Sequence, residues 1–598
     1  MDAATLTRPE PANTLTARPA PTRRRRSERR ARHRSGLIRP ALGALLVVTF
    51  LLRLWGVKQG LPYSYNIDEA THFVPRAIAF FGHDLNPHYF LNPPAYSYLL
   101  HVVFDLWFGG RDAVTRAYTS DPTSLYVVAR VVAASLGTLA VWLTYLAGAR
   151  FFSRAVGLAA ASIFGFAFLP IFYSHLALND VPTLAPVALS LYGIAGVMRR
   201  GRTRDYLIAG IGVGLASATK YTGGVTLLCL LAAAVCDAAG GGRLPAVGRL
   251  LLALLAALVS FLIANPFAVF DWGSFSSGVS SQASLAAGQD PVKLGTTEGS
   301  GITDYLWTLT WGLGWGPTIA AVGGAALLIA RKRFAMALVL LPAPIAFIIF
   351  MGQQQRYFGR WLMPIFPILA LLGAYLAVEL VRWLLRTRRV PMALTGSVVA
   401  VLLLAQSVTA VVHNDIVLSR PDTRAQTRAW MVNNIPAGAR VVIEPLVPDD
   451  WTTDVGTFLP WTATGERWLR YPTWLTDIDS NGYPLPAGQR RYVLVDQYER
   501  ALRPALLGEY VKGGYCWVVI GSLQAGRAFA QPGEAPGAIA YYSALARRGR
   551  LVYHVSPFGS GAHSVPFSFD WSIDYYPRQF RSPGPEMSVY RLSGGRCS

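Results

Sequence analysis

The chain has 598 residues, 52% of them hydrophobic and only 15% charged, more apolar surface than one soluble core needs, so it reads as a polytopic membrane protein. Its formal net charge of +22 crowds before the first apolar run (Arg23 to Arg26, Arg29, Arg30, Arg32, Arg34, Arg39) and in short loops, the pattern of a positive-inside topology. No aromatic-interleaved basic face accompanies these arginines, which argues against a nucleic-acid partner.

Residues 1–36, rich in Pro, Thr and Arg, are expected to form a disordered cytoplasmic tail that meets anionic headgroups. No small-residue cleavage pattern follows the apolar run, which argues against a removable signal peptide. A helix needs about 20 apolar residues to span a hydrocarbon core of about 30 Å, and Lys and Arg set its direction. The first such run, 37–57, leaves a polar loop, 58–123, outside. Its stretch 63–100 holds Asp68-Glu69, three histidines (His72, His83, His88) and an Asn92-Pro93-Pro94 turn. Segment 94–109 is short for a span, roughly 24 Å as a helix, and carries His101 and Asp105. The basic clusters at 150–154 and 199–204 must lie inside. Counting back from them through 181–198, 155–173 and 124–149 places residue 124 outside already. Segment 94–109 is therefore expected to lie along the outer interface, with 70–81 as a second surface helix.

The same rule continues with spans at 206–218, 223–239 and 250–264, the stretch 241–249 lying inside. A long outer loop rich in Gly, Ser and Gln follows over 265–303. Further spans cover 307–330, 334–350, 361–385 and 392–412. The expectation is about eleven crossings, a membrane domain over 37–412, a cytoplasmic N-terminus and an extracytoplasmic domain over 413–598. In that last domain 422–434 reads as a helix, and 439–445, 491–498, 516–522 and 551–557 read as short buried strands. A second helix is expected near 538–547, so the domain is expected to be a small α/β unit. It contains no G-x-G-x-x-G and no Walker loop. Cys229 and Cys236 read as small packing residues; Cys516 and Cys597 lie where a disulfide is chemically allowed, and spacing alone does not pair them.

This topology gathers charged residues on the outer side: Asp68, Glu69, Arg76, His83, Asp84 and His88 in the first loop, then Asp180, Lys220, Asp271, Arg356 and Arg360. Such groups are costly beside lipid and normally line a cavity or pathway. Sugar transfer from a polyprenyl phosphate to a hydroxyl asks for a carboxylate that takes the acceptor's proton and for fixed cations that hold the phosphate leaving group. Asp68 is placed to be the base, with Glu69 beside it, and Lys220, Arg356 and Arg360 to be the cations. Asp180 would orient the acceptor or the sugar hydroxyls. His88, Asn92, Tyr221 and Tyr357 are candidate substrate contacts. Plainer roles stand beside these: an Asp-Glu pair favours a helix N-terminus, Asp180 before Val-Pro caps a helix equally well, and Lys220 and Arg356 reach headgroups as snorkelling cations. The histidines lack a close metal spacing, so no metal site and no cofactor is expected.

At these positions the chain resembles the GT-C type integral-membrane glycosyltransferases, in the family that groups protein O-mannosyltransferases with the lipid A aminoarabinose transferase. The resemblance runs through Asp68-Glu69, Pro93-Pro94, Asp180-Val181-Pro182, Ala218-Thr219-Lys220-Tyr221, Arg356-Tyr357, Met363-Pro364 and Phe366-Pro367. It implies a GT-C-like helical fold, a polyprenyl-phosphate sugar as donor, a protein, polysaccharide or lipid acceptor, and transfer with inversion at the outer face of a plasma membrane. By the same resemblance Asp68 is the general base, and Asp180 and Lys220 match the family's later acidic and Lys-aromatic motifs. Asn92 stands where the family usually has Lys or His. The rival from another class is a transporter or flippase of lipid-linked sugars; such proteins tend to show repeats and broken helices near the midplane, whereas here the polar residues fall at one face.

Overall fold

The computed structural model describes residues 23–597 apart from 83, 242, 288–300, 355, 388–390, 455–465, 473–474, 477–490, 493–497, 560 and 562–575. Part of the expected tail (1–22), His83, part of the outer loop and the middle of the expected strand 491–498 lie outside the described residues. Helix α1 runs Arg23–Leu54, so the arginine-rich stretch from residue 23 is helical rather than disordered; Arg, Ala and Glu are all good helix formers.

The first outer loop folds as a π-turn, Glu69–Phe73, running into α2, Val74–Ala79, which packs on α3, Ala95–Phe108. Helix α3 has 14 residues and exposes Leu99, Val102, Leu106 and Trp107. A short amphipathic helix not expected from the sequence, α4 (Arg111–Ser120), follows it.

The helical body then takes α5 (Thr123–Phe151), α6 (Arg154–Gly165) and α7 (Phe168–Phe172). The single span expected over 155–173 is broken: α6 and the segment after it meet at 62°. Pro170, in the first turn of α7, lacks the N–H that a continuous helix would need. Next come α8 (Leu184–Arg200), α9 (Thr203–Thr219), α10 (Thr226–Gly241) and α11 (Arg243–Ala264); α11 takes up most of the stretch expected to be an inner loop. Helix α9 is squeezed between neighbours. A Cβ at Gly212 would overlap the Ser190 backbone of α8, and a Cβ at Gly210 or Gly214 would overlap the Ala253 or Ala257 carbonyl of α11. Small residues at this spacing let helices approach closely in lipid; α9 ends one residue before Lys220.

The expected outer loop carries α12 (Phe267–Phe270) and α13 (Trp272–Ala286). Asp271 starts α13 by accepting from the Ser274 amide, and capping of this kind stabilises a Ser- and Gly-containing helix that composition alone marks as loop. The body closes with α14 (Gly301–Leu309) and α15 (Trp315–Ala330), joined by a π-turn, then α16 (Phe334–Leu340), α17 (Pro342–Gly352), α18 (Phe366–Thr387) and α19 (Met392–Leu418). Among the described residues seven helices are long and apolar enough to cross a membrane, and the bent pair makes an eighth.

Helix α20 (Thr423–Asn434) opens the C-terminal region. Its five-stranded sheet has the order β2-β1-β5-β7-β6, with β1 (Arg440–Ile443) parallel to β2 (Leu469–Arg470) and β5 (Trp517–Gly521), and β6 (Arg550–Val555) and β7 (Met587–Arg591) antiparallel. Three expected strands are β1, β5 and β6. The fourth is reduced to β4 (Arg491–Tyr492), paired with β3 (Leu475–Thr476) in a separate ribbon. Helices α21 (Tyr498–Ala501), α22 (Ala505–Gly513) and α24 (Pro536–Arg548) cover the face bearing Val442 and Val518, and α23 (Ser522–Ala530) joins them. The opposite face packs Val441, Ile443 and Val519 on Met431, Trp451, Trp468 and, from the first outer loop, Tyr63. Tyr63 donates to the Thr453 carbonyl (3.2 Å), and Arg424 sits 3.9 Å over the neighbouring Tyr65 ring. Cys516 and Cys597 form a disulfide; Cys229 and Cys236 are free.

Candidate active site

Asp68 stands where the first outer loop turns into helix. The Asn66 side-chain carbonyl accepts from the Asp68 and Glu69 amides (3.1 and 3.2 Å), satisfying donors that a helix start leaves open. Asp180 sits in the turn before α8, and Lys220 directly follows α9. The Asn179 amide donates to the Thr219 carbonyl (2.8 Å), so the residues preceding Asp180 and Lys220 are tied together. Arg360 lies in a 3-10 turn, Gly359–Ile365, that leads into α18.

These four elements bring their charges to one place. Lys220 pairs with Asp180 Oδ1. Arg360 reaches Asp68 Oδ2 through Nη2 (2.6 Å) and Asp180 Oδ2 through Nε (3.7 Å). The Arg360 guanidinium lies over Phe358 (4.7 Å) and Tyr173 (5.7 Å), and Arg356 approaches the same Phe358 ring at 5.8 Å. Asp68, with 29% of its side chain exposed against 4% for Asp180 and 11% for Arg360, is the member most open to an incoming group.

Glu69 goes elsewhere. Fully buried, it receives Arg130 Nε and Nη2 (2.8 and 2.7 Å), the Ala177 amide (2.7 Å) and the Ser64 hydroxyl (2.5 Å). Arg130 Nη1 in turn donates to the Val57 and Gln59 carbonyls (2.7 and 2.8 Å). With both oxygens occupied by charge-assisted and neutral hydrogen bonds, Glu69 ties the residue beside Asp68 to α5 and to the stretch of chain that leads to Asp180.

Beyond this core, His72 stacks on Tyr89 (5.0 Å), the Arg76 guanidinium lies 3.7 Å from the centre of the Tyr89 ring, and the Asn92 amide donates to the Tyr89 hydroxyl (3.0 Å). Burial pushes the Tyr89 phenol up to about 12, so it stays neutral. Tyr221 donates to the Phe90 carbonyl (2.9 Å), tying the end of α9 to the first loop. His88 lies 3.7 Å from both Asp84 and Asp271, and the Asn86 amide, donating at 2.8 Å, holds the Asp271 carboxyl below the usual range. Tyr357 bonds Thr308 and packs on Tyr305 of α14. Of the expected substrate contacts, Asn92 and Tyr221 thus fasten the first loop, while His88 and Tyr357 join separate polar contacts. Among the described residues no group of three or more His, Cys, Asp or Glu is arranged to hold a metal ion. Arg130 and Asn179 were not expected at the site; a lone arginine inside an otherwise apolar span was the available signal for the first.

Residues 123–269 match the family model described as dolichyl-phosphate-mannose-protein mannosyltransferase. None of the curated proteins matches the chain by sequence. Among solved structures, the fold is similar to ArnT from Cupriavidus metallidurans bound to undecaprenyl phosphate (13% identity, TM-score 0.49, 93% of this chain and 98% of that one). It is also similar to the Archaeoglobus fulgidus oligosaccharyltransferase tethered with an acceptor peptide (13%, 0.48, 88% and 74%). The S. cerevisiae Pmt1-Pmt2 complex bound to the sugar donor matches over 40% of this chain and 34% of that one, at 25% identity and a TM-score of 0.30. The segment that carries Arg130, Asp180 and Lys220 is thus the part similar in sequence to the dolichyl-phosphate-mannose-protein mannosyltransferase family model.

Proposed function

We propose that this chain transfers a sugar from a polyprenyl-phosphate-linked donor to an acceptor hydroxyl at the outer face of the plasma membrane. The observation that carries this reading is the Asp68–Arg360–Asp180–Lys220 cluster, drawn from four separate parts of the chain into one spot. In the step, the acceptor oxygen forms a bond to the anomeric carbon and the bond from that carbon to the phosphate oxygen breaks. The electron pair leaves on phosphate, and the acceptor's proton passes to the Asp68 carboxylate. Attack opposite the leaving group inverts the anomeric centre. Lys220 and Arg360, with Arg356 behind Phe358, meet the charge that grows on phosphate, which is the part a divalent metal would otherwise play; Asp180 holds the two nearer cations in place. About eleven crossings, α8 and α9 among them, put the N-terminus in the cytoplasm and residues 413–598 outside.

The test is mass spectrometry of envelope glycans, glycoproteins and lipid-linked sugars from cells with and without the chain. Loss of one glycan together with build-up of its lipid-linked precursor supports the reading; an unchanged glycan profile refutes it.

A further inference from the structure

Arg360 is shared before any substrate arrives. Its guanidinium holds one Asp68 oxygen at 2.6 Å and approaches Asp180 at 3.7 Å. The two negative charges of Asp68 and Asp180 formally match the two positive charges of Lys220 and Arg360, so the four groups balance one another. A phosphate brings a further negative charge into a place where only 11–12% of either cation's side chain is exposed. In so enclosed a setting a cation cannot serve a carboxylate and a phosphate fully at once. Guanidinium forks bind phosphate as readily as carboxylate, and the Arg360 guanidinium lies over the Phe358 and Tyr173 rings at 4.7 and 5.7 Å.

We propose that Asp68 and the donor's phosphate compete for Arg360, so that donor binding pulls Arg360 away and leaves the Asp68 carboxylate ready to accept a proton. This rests on the donor reading above and adds an order of events to it. A carboxylate whose lone pair is taken by a guanidinium is a poor proton acceptor; it becomes a base only once phosphate is in place. After transfer the competition runs backwards. Asp68 holds the acceptor's proton and no longer attracts Arg360, so the phosphate product, now carrying one more negative charge, is held. When that proton leaves to solvent, Asp68 regains its charge, recaptures Arg360 and loosens the product. The charged or titratable groups that bear on this exchange are Arg360, Asp180 and Lys220, with Tyr89 and Arg76 on the first-loop side.

The test is binding of undecaprenyl phosphate to the full chain in nanodiscs, for wild type, Asp68→Asn, Arg360→Gln and the double variant. Removal of a competitor for a charged hydrogen-bonding group is expected to tighten binding by about tenfold in Asp68→Asn. In the Arg360→Gln background the same substitution is expected to change affinity by less than about twofold, because the contested group is gone. Arg360→Met serves as the second background if Arg360→Gln does not fold; it too removes the contested charge. Unchanged binding in Asp68→Asn, or equal tightening in both backgrounds as simple charge removal would give, overturns the exchange while leaving the donor reading standing. Failure of wild type to bind undecaprenyl phosphate at all overturns both.

Discussion

Replacing Glu69 by Gln separates positioning from chemistry at the neighbouring acid. The Glu69 and Arg130 side chains are 0% and 1% exposed, and four hydrogen bonds converge on the two carboxylate oxygens. An amide in that place sets its N–H groups against donors from Arg130, Ser64 or the Ala177 backbone and leaves the guanidinium uncompensated. Breaking a buried pair from one side costs about 3–5 kcal/mol. The same brace reaches Ala177, three residues before Asp180, so both carboxylates of the cluster lose their register when it fails. The assay is thermal unfolding of the purified protein in detergent, read beside sugar transfer at a temperature where the variant remains folded. The expected outcome is a destabilised variant whose residual transfer follows its folded fraction, with partial recovery of stability when Glu69→Leu is combined with Arg130→Met. A Glu69→Gln protein as stable as wild type yet unable to transfer would refute the positioning role and return Glu69 to the chemistry.

Three further outcomes follow from other parts of the fold. Burial raises the Glu444 carboxyl from 4.5 to about 8, so the folded state keeps a proton that the unfolded chain releases. Stability then falls as pH rises from about 4.5 to about 8, by at most ~5 kcal/mol, and Glu444→Gln flattens this dependence in pH-resolved unfolding; an unchanged slope contradicts it. The Cys516–Cys597 bridge spans a separation of 81 residues, so Cys516→Ser is expected to cost up to about 4.5 kcal/mol by loop-closure entropy, read as a lower denaturation midpoint of the C-terminal region. Tyr63 fills the core beside Trp451 and Trp468, so Tyr63→Ala is expected to cost about 3 kcal/mol and to lower transfer as well, because the loop it anchors carries Asp68; wild-type transfer in that variant would show that the loop does not depend on the anchor.

The charge pattern made much of this architecture legible. Segment 94–109, set apart in the sequence by its length and by His101 and Asp105, is the 14-residue helix α3. The break between α6 and α7 was hidden because apolar residues continue through it, and only Pro170 marked it. Helix α13 was hidden in the opposite sense: Ser, Gly and Gln read as loop, while the Asp271 cap and contacts such as Phe275 against Phe90 hold it as helix. Strand β7 escaped because its alternation lasts five residues, with Met587 and Val589 inward. At the site, the residue types of Asp68, Asp180, Lys220 and Arg360 and their convergence could be read from the sequence. The split between Asp68 and Glu69 could not, since adjacent residues on a helical turn point in different directions and their partners lie 61 and 292 positions away.

The account depends most on Asp68 as the group that takes the acceptor's proton. Membranes supplied with a labelled polyprenyl-phosphate sugar, and containing either wild type or Asp68→Asn at equal abundance, test it in one comparison. The account predicts that labelled acceptor and released polyprenyl phosphate both disappear in Asp68→Asn. Undiminished labelling of acceptor in that variant, accompanied by arrested movement of the lipid between leaflets, would contradict it and favour a transporter.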